Sequence, residues 1–367
     1  MLGQALIHTL CTLDASIHQS PSQENRLPWH VVALSRSPYE PTEAYPTLPE
    51  AFTWLVGDVC ESSWLKQVLA TYAPQAMIHT VACVDLLACE RDPLMAYQVN
   101  TYPVGLLSDY AQRTGSTLLH ISTDHYYQDH TEVRHTEQDT VVLLNEYART
   151  KYLAEKLALL APNGWVIRTN IIGHKRHPKK NEHRTSPKPT FLEWLEQALS
   201  EATPEKPVKL FHDYYTSSVH VGFLATWLIA WMTHYAGLQP SSAWNPLKSQ
   251  FLSEPGAACR LFHSGSVSLP EHRILNVACR QASSKFTLGK LYAHMVLGYS
   301  MDTLNTLVEG VSIHDMPQQE VVRATALGLE TSWVELCFPD MPSCPSLLDV
   351  VESFQNSRFA HEKLACV

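Results

Sequence analysis

"TLLHISTDHYY", residues 117–127, is an apolar run that stops abruptly at Ser122, Thr123 and Asp124. An apolar run without strict alternation predicts a strand covered on both faces, as in a parallel sheet. Working outward, "HVVALS" (30–35), "TWLVGD" (53–58), "AMIHTVA" (76–82) and "GWVIRTN" (164–170) have the same character. Between them, "SSWLKQVLATYA" (62–73), "PLMAYQVNTYPVGLLSDYAQRTG" (93–115) and "EYARTKYLAEKLALLA" (146–161) carry helical patterns. Strands alternating with helices predict parallel pairing, so the first half reads as a doubly wound α/β sheet.

The second half is less regular. "TFLEWLEQALSEA" (190–202), "SVHVGFLATWLIAWMTHYA" (218–236) and "SKFTLGKLYAHMVLG" (284–298) read as helices, and "VKLFHD" (208–213) and "RILNVA" (273–278) as strands. Residues 238–272, with their prolines, glycines and serines, read as a long loop.

Composition narrows the function classes. A chain of 367 residues with 45% hydrophobic and 17% charged residues fits a globular protein. The net charge of −9 argues against a nucleic-acid partner. Nine cysteines without a C-x-x-C pair fit reduced thiols and give no metal site. "VGFLATWLIAWM" (221–232) is too short to span a bilayer. "MLGQALIHTLCTLD" lacks a basic start and a cleavage site, so no membrane association is expected and the cytoplasm is the expected compartment.

The helix after Asp124 carries one spacing twice. Tyr147 precedes Lys151, and Tyr152 precedes Lys156, each by four residues, which places each pair on one helical face. At about 100° per residue, Tyr147, Lys151, Ala154 and Ala158 share a stripe, with Tyr152 and Lys156 on roughly the opposite side. Only one pair can face the strand ends, where open α/β sheets bind ligands. The spacing alone is cheap and commonly marks surface side chains. The strand ending in Ser122 and Thr123 gives it weight. A hydroxyl at the strand end and a phenol on the next helix form the layout of a carbonyl reductase. The hydroxyl orients the carbonyl and the phenol supplies a proton. A nearby ammonium is expected to lower the phenol's pKa and to hold ribose hydroxyls of a nicotinamide cofactor.

"APQAMIHTVACVDLLACERDPLMAYQVNT", followed by "LLHISTDHYY" and "EYARTKYLAEK", resembles the extended short-chain dehydrogenase/reductases, and within them the dTDP-4-dehydrorhamnose reductase (RmlD-like) group. That group has an S-T-D strand end and a Y-x-x-[ST]-K helix. Thr150 before Lys151 matches it, whereas Glu155 before Lys156 does not. The resemblance thus selects Tyr147 and Lys151, in agreement with the helical stripe. It implies a Rossmann-like nucleotide-binding domain over 1–170. A substrate region follows over 171–367, some of whose elements return to the first domain.

The family relation implies further roles. Tyr147 is the expected proton donor, Lys151 its tuner and ribose ligand, and Thr123 the carbonyl's hydrogen-bond donor. Asp124 is expected beside the sugar. Asp58 and Val59 match the pair that meets the adenine, and Val81 and Ala82 the small residues beneath the nicotinamide-side ribose. The second strand ends in Ser35 and Arg36 rather than an acid, which favours NADP(H) over NAD(H). The expected partner is a nucleotide-sugar substrate, and the family includes homodimers.

Departures bear on the start and on the sugar pocket. "MLGQALIHTL" resembles the tail of G-x-x-G-x-L-G-x-x-L, with Gly3 as its last glycine. The first strand and first two glycines are absent, and that strand is normally central. Two accounts follow. Either Met1 lies inside the glycine loop of a longer reading frame, the favoured expectation, or the chain is a shortened form with damaged cofactor binding. Ile171 replaces a common Trp, and "STDHYYQDH" and "DYYTSS" depart from the reductase pattern. The basic run 174–188 reads first as a solvated loop, with phosphate binding as the alternative. Two other functions stay open. One is a non-catalytic NADP-binding subunit resembling the methionine adenosyltransferase β subunit. The other is a sugar-nucleotide epimerase or dehydratase.

Overall fold

A computed structural model describes residues 1–18, 29–39, 47–127, 134–174, 188–235, 272–315 and 321–364. Helix α1 (Leu2–His18) opens the chain, followed by strands β1 (Val31–Ser35) and β2 (Phe52–Val56) and helix α2 (Ser62–Tyr72). Strand β3 (Ala76–His79) leads to three consecutive helices, α3 (Leu86–Arg91), α4 (Pro93–Asn100) and α5 (Tyr102–Thr114). Then come β4 (Thr117–Ile121), the short β5 (Arg134–His135), α6 (Glu146–Ala158) and β6 (Gly164–Arg168). The helix expected over 93–115 is broken at Thr101, because Pro103 in the next turn has no N–H to continue the ladder.

The central sheet is parallel, in the order Ile274–Asn276, β6, β4, β3. Residues 274–276 thus return from the second half to the first sheet. Alternate side chains of these strands enter different cores. Leu118 and Val166 pack with Val104, Leu107, Ala154 and Ala158, from α5 and α6. Leu119, Ile121, Trp165 and Ile167 pack with Leu2 and Leu6 of α1 and with Leu224, Trp227 and Trp231. The last three belong to the helix Val221–Tyr235, which is apolar nearly all round because it is buried between layers. Helices on both faces make the sheet doubly wound. Gly164 begins β6 where only a glycine fits, since a Cβ there would stand 1.9 Å from the Ala158 carbonyl oxygen.

β1 and β2 pair in parallel as a separate two-stranded sheet, and β3 pairs with β4 alone among the described strands. Gly3, at the start of α1, lies against the end of β3, where a Cβ would stand 3.4 Å from Thr80 Oγ1.

In the second half, Val208–Phe211 pairs with Val308–Val311. Around them, Phe191–Glu201, Lys285–Met295 and the first turns of Leu347–Leu364 enclose a second core through Leu192, Leu195, Leu210, Leu288 and Val350. The long-loop reading of 238–272 and most of the basic run fall outside the described residues. No described helix is long and apolar enough to cross a membrane. No cluster of metal-binding side chains occurs among the described residues.

Candidate active site

The end of β4 and the first turns of α6 meet at the site. Asn145 caps α6 by accepting from the Ala148 N–H at 2.9 Å, and its amide donates to the Val322 carbonyl at 3.0 Å. A cap of this type fixes the first helical turn, and Tyr147 sits in it. The expected stripe is the buried one: Tyr147 is 6% exposed, and Lys151, Ala154 and Ala158 are buried with it. Tyr152 and Lys156 lie on the other side, where the Lys156 ammonium stands 4.5 Å from the Tyr152 ring centre.

Thr123, Asp124, Tyr147 and Lys151 are all buried; Tyr147 lies beside Thr123 and Asp124, and Lys151 reaches the last carbonyl of β4. The Tyr147 ring meets His125 edge-on at 5.6 Å between centres, and the Thr123 hydroxyl lies near enough to Tyr147 to act on its phenol. Asp124 accepts from Asn170 Nδ2 at 2.8 Å, and Asn170 in turn accepts from the Ser218 hydroxyl at 2.7 Å. Burial pushes the Asp124 carboxyl up to about 7, against the hydrogen bond from Asn170 and the charge of Lys285. Burial likewise brings Lys285 down to about 8, with Asp124 opposing it.

One expectation is corrected here. Lys151 was expected to make the Tyr147 phenol more acidic. Instead burial pushes the phenol up, the nearby Thr123 hydroxyl lowers it, and Asp124, Cys89 and Cys83 add to the rise. The Lys151 ammonium is engaged elsewhere: it donates to the Ile121 carbonyl at 2.7 Å and lies 3.2 Å from His120 Nε2. Burial lowers Lys151 to about 8, opposed by Glu155.

Several supports were not legible as site residues. Asn100 braces the loop after β3 against α6: its Oδ1 accepts from the Cys83 N–H at 2.6 Å. Its amide donates to the Cys83 carbonyl at 3.2 Å and to Thr150 Oγ1 at 3.0 Å. Thr101 donates to the Thr150 carbonyl at 2.8 Å, so the residue pair ending α4 clamps the turn of α6 that carries Lys151. Ser122, grouped with Thr123 by sequence, turns inward and donates to Glu155 Oε1 at 2.6 Å. Glu155 also receives two bonds from Arg168, at 3.0 and 2.8 Å, wholly inside the protein. A charged residue on the buried stripe of α6 and an arginine in the apolar run "GWVIRTN" were the available signals for this pair.

The other sequence-selected residues form a second group on the separate sheet. Ser35 ends β1, and its carbonyl accepts from the Gly57 N–H at 2.9 Å. Arg36 is exposed. Asp58 accepts from the Cys60 N–H at 2.9 Å, a bond that, with the nearby charge of Arg36, keeps its carboxyl below the ordinary range. Val59 packs beside Leu65 and Leu69. Val81 and Ala82 are half-buried just past β3, and Gly3 sits against the same strand end.

The model of the RmlD substrate-binding domain matches residues 22–237. The chain belongs to this family. It is 27% identical over 114 residues to a dTDP-4-dehydrorhamnose reductase of Aggregatibacter actinomycetemcomitans, covering 31% of this chain and 39% of that protein. It is also 26% identical over 147 residues to the methionine adenosyltransferase 2 subunit beta of Pongo abelii, covering 40% of each. The chain thus matches about two fifths of the length of these curated relatives. Among solved structures, the Bacillus anthracis dTDP-4-dehydrorhamnose reductase in complex with NADP superposes with a TM-score of 0.62 at 16% identity, covering 89% of this chain and 98% of that one. The Bordetella bronchiseptica enzyme WbmG in complex with NAD and UDP gives 0.61 at 13% identity, over 98% and 91%. These likenesses establish the Rossmann-like fold of the RmlD relative.

Proposed function

We propose that this RmlD-family chain is an NAD(P)H-dependent reductase of a nucleotide-linked 4-keto sugar. The observation that carries the reading is the buried group at the carboxyl end of β4: Tyr147 beside Thr123 and Asp124, with Lys151 held on the Ile121 carbonyl.

The residues fit a dinucleotide. Lys151 has three N–H donors; Ile121 O takes one and His120 Nε2 faces another, which leaves one for a ribose hydroxyl. Val81 and Ala82 supply a small-residue floor beside it, and Gly3 brings the start of α1 close to the end of β3. Ser35, Arg36, Asp58 and Val59 are the residues for the adenosine end. The exposed Arg36 supports NADP(H) over NAD(H), because a guanidinium can pair a 2′-phosphate. When bound, the reduced nicotinamide supplies the hydride.

The chain's own groups do the rest. Burial keeps the Tyr147 phenol protonated at neutral pH, the form a proton donor needs. It donates to the substrate carbonyl oxygen, which the Thr123 hydroxyl orients. Asp124, next to Thr123 and held by Asn170, faces the sugar. On this reading residues 1–170 hold the cofactor and 171–367 the sugar nucleotide, the work is cytoplasmic, and a homodimer is the assembly to look for. The test is substrate-dependent NADPH oxidation, with dTDP-4-dehydrorhamnose as the first substrate.

A second reading, a non-catalytic NADP-binding subunit, draws on one observation: Lys151 points to Ile121 and His120 while the Tyr147 phenol is raised. Tight NADPH binding without turnover on any keto sugar would favour it.

A further inference from the structure

Two histidines that neither the fold nor the proposed reaction requires lie behind Lys151. His79 ends β3, and His120 stands directly opposite it on β4 in the parallel register. Both are buried, their rings stack at 5.2 Å between centres, and their Nδ1 atoms are 3.1 Å apart. His120 Nε2 lies 3.2 Å from Lys151 Nζ. The far nitrogen, His79 Nε2, is buried and has no hydrogen-bond partner.

The direction of every proton in this chain follows from its end. An ammonium has donors only, so His120 Nε2 must accept from Lys151. Burial and the Lys151 charge keep both rings neutral: His79 is brought down to about 3, and His120 is held well below its usual value, with His79 contributing. A neutral imidazole with an accepting Nε2 carries its proton on Nδ1. His120 Nδ1–H therefore donates to His79 Nδ1, which leaves the His79 proton on Nε2.

We propose that His120, backed by His79, is a positioning residue that orients the Lys151 ammonium: Ile121 O and His120 Nε2 fix two of its N–H groups and aim the third at a cofactor hydroxyl. The proposal rests on the reading of Lys151 as the ribose ligand. The groups facing the chain are His79 from β3, His120 from β4, and Glu155, one turn beyond Lys151 on α6. Glu155 favours the charged form of Lys151 against burial. The arrangement gives Lys151 an uncharged polar partner rather than a carboxylate, so its N–H groups are fixed without a competing ion pair.

The first test uses the full chain without cofactor. Nitrogen-15 NMR of the imidazoles should show His120 protonated on Nδ1 and His79 on Nε2, with neither ring titrating between about pH 5 and about pH 8. A His120 protonated on Nε2 overturns the proposal, since it could not accept from Lys151. The second test follows the Lys151 side-chain methylene signals. His120→Leu should move the Lys151 titration down by about one pH unit or more, and weaken NADPH binding about tenfold. His120→Gln, which keeps an acceptor, should restore most of both. An unchanged Lys151 titration in His120→Leu also overturns it. If the leucine variant does not fold, the wild-type protonation pattern decides alone. These readouts are independent of turnover, so they stand or fall separately from the reductase reading, which the Tyr147→Phe variant decides.

Discussion

Glu155 and Arg168 face each other with both carboxylate oxygens engaged, Nε to Oε1 at 3.0 Å and Nη2 to Oε2 at 2.8 Å, and neither side chain reaches solvent. The pair ties α6 to β6. Through Ser122, which also bonds Glu155, it fixes the strand end just before Thr123. The position of the proposed active-site hydroxyl thus depends on an ion pair in the core.

Removing one partner leaves a buried charge alone. Glu155→Ala should destabilise the fold by roughly 3–5 kcal/mol, seen as a lower urea midpoint at unchanged slope. A loss below about 1 kcal/mol would mean that water reaches Arg168 and the pair is not the clamp described.

Asn100 serves three partners in two segments, so Asn100→Ala strands the Cys83 N–H, leaves the Cys83 carbonyl only the Cys89 thiol, and leaves Thr150 Oγ1 only its bond to the Tyr147 carbonyl. The expected cost is roughly 2–3 kcal/mol. Weaker NADPH binding should accompany it, because the loop bearing Val81 and Ala82 loses its brace. Urea denaturation and fluorescence titration measure the two effects. Full stability with unchanged affinity would show the brace to be dispensable.

Asp124 predicts a pH dependence of stability. Burial raises its carboxyl to about 7 in the fold, against roughly 3.9 in the unfolded chain. Between those values the folded protein binds the extra proton at Asp124, so this group's contribution to stability should fall as pH rises from about 4 through about 7. The buried neutral His79, His120, His125 and His220 pull the other way over much of the same window, so the Asp124 share is read as a difference: urea midpoints should rise more steeply with pH in Asp124→Asn than in the unaltered protein. The same slope in both proteins would place its origin elsewhere.

Arg36 is exposed and sits beside Asp58. Arg36→Ala should weaken NADPH binding roughly tenfold and leave NADH nearly unchanged. Equal changes for both cofactors would remove the basis for the NADP(H) preference.

Much of this was legible in the sequence. Period and length placed the strands around "TLLHIST" and the helices between them, because a sheet covered on both faces imposes unbroken apolar runs. The Tyr147–Lys151 stripe followed from helical geometry, and its burial matches that reading. Pairings across long separations were not legible: neither the short strand Ala326–Leu329, which joins Tyr215–Thr216 and β5, nor His79 opposite His120 leaves a local signal. The acidifying effect expected of Lys151 on Tyr147 was misread for a related reason. Spacing puts a lysine on the tyrosine's face, but it cannot reveal that a carbonyl and an imidazole on the next strand claim the ammonium.

The most direct measurement is the rate of NADPH oxidation with a nucleotide-linked 4-keto sugar, comparing the unaltered protein with Tyr147→Phe and Tyr152→Phe. The account predicts turnover in the first, at least a hundredfold loss in Tyr147→Phe without loss of stability, and a near-normal rate in Tyr152→Phe. Undiminished turnover in Tyr147→Phe, or equal losses in both variants, would contradict it.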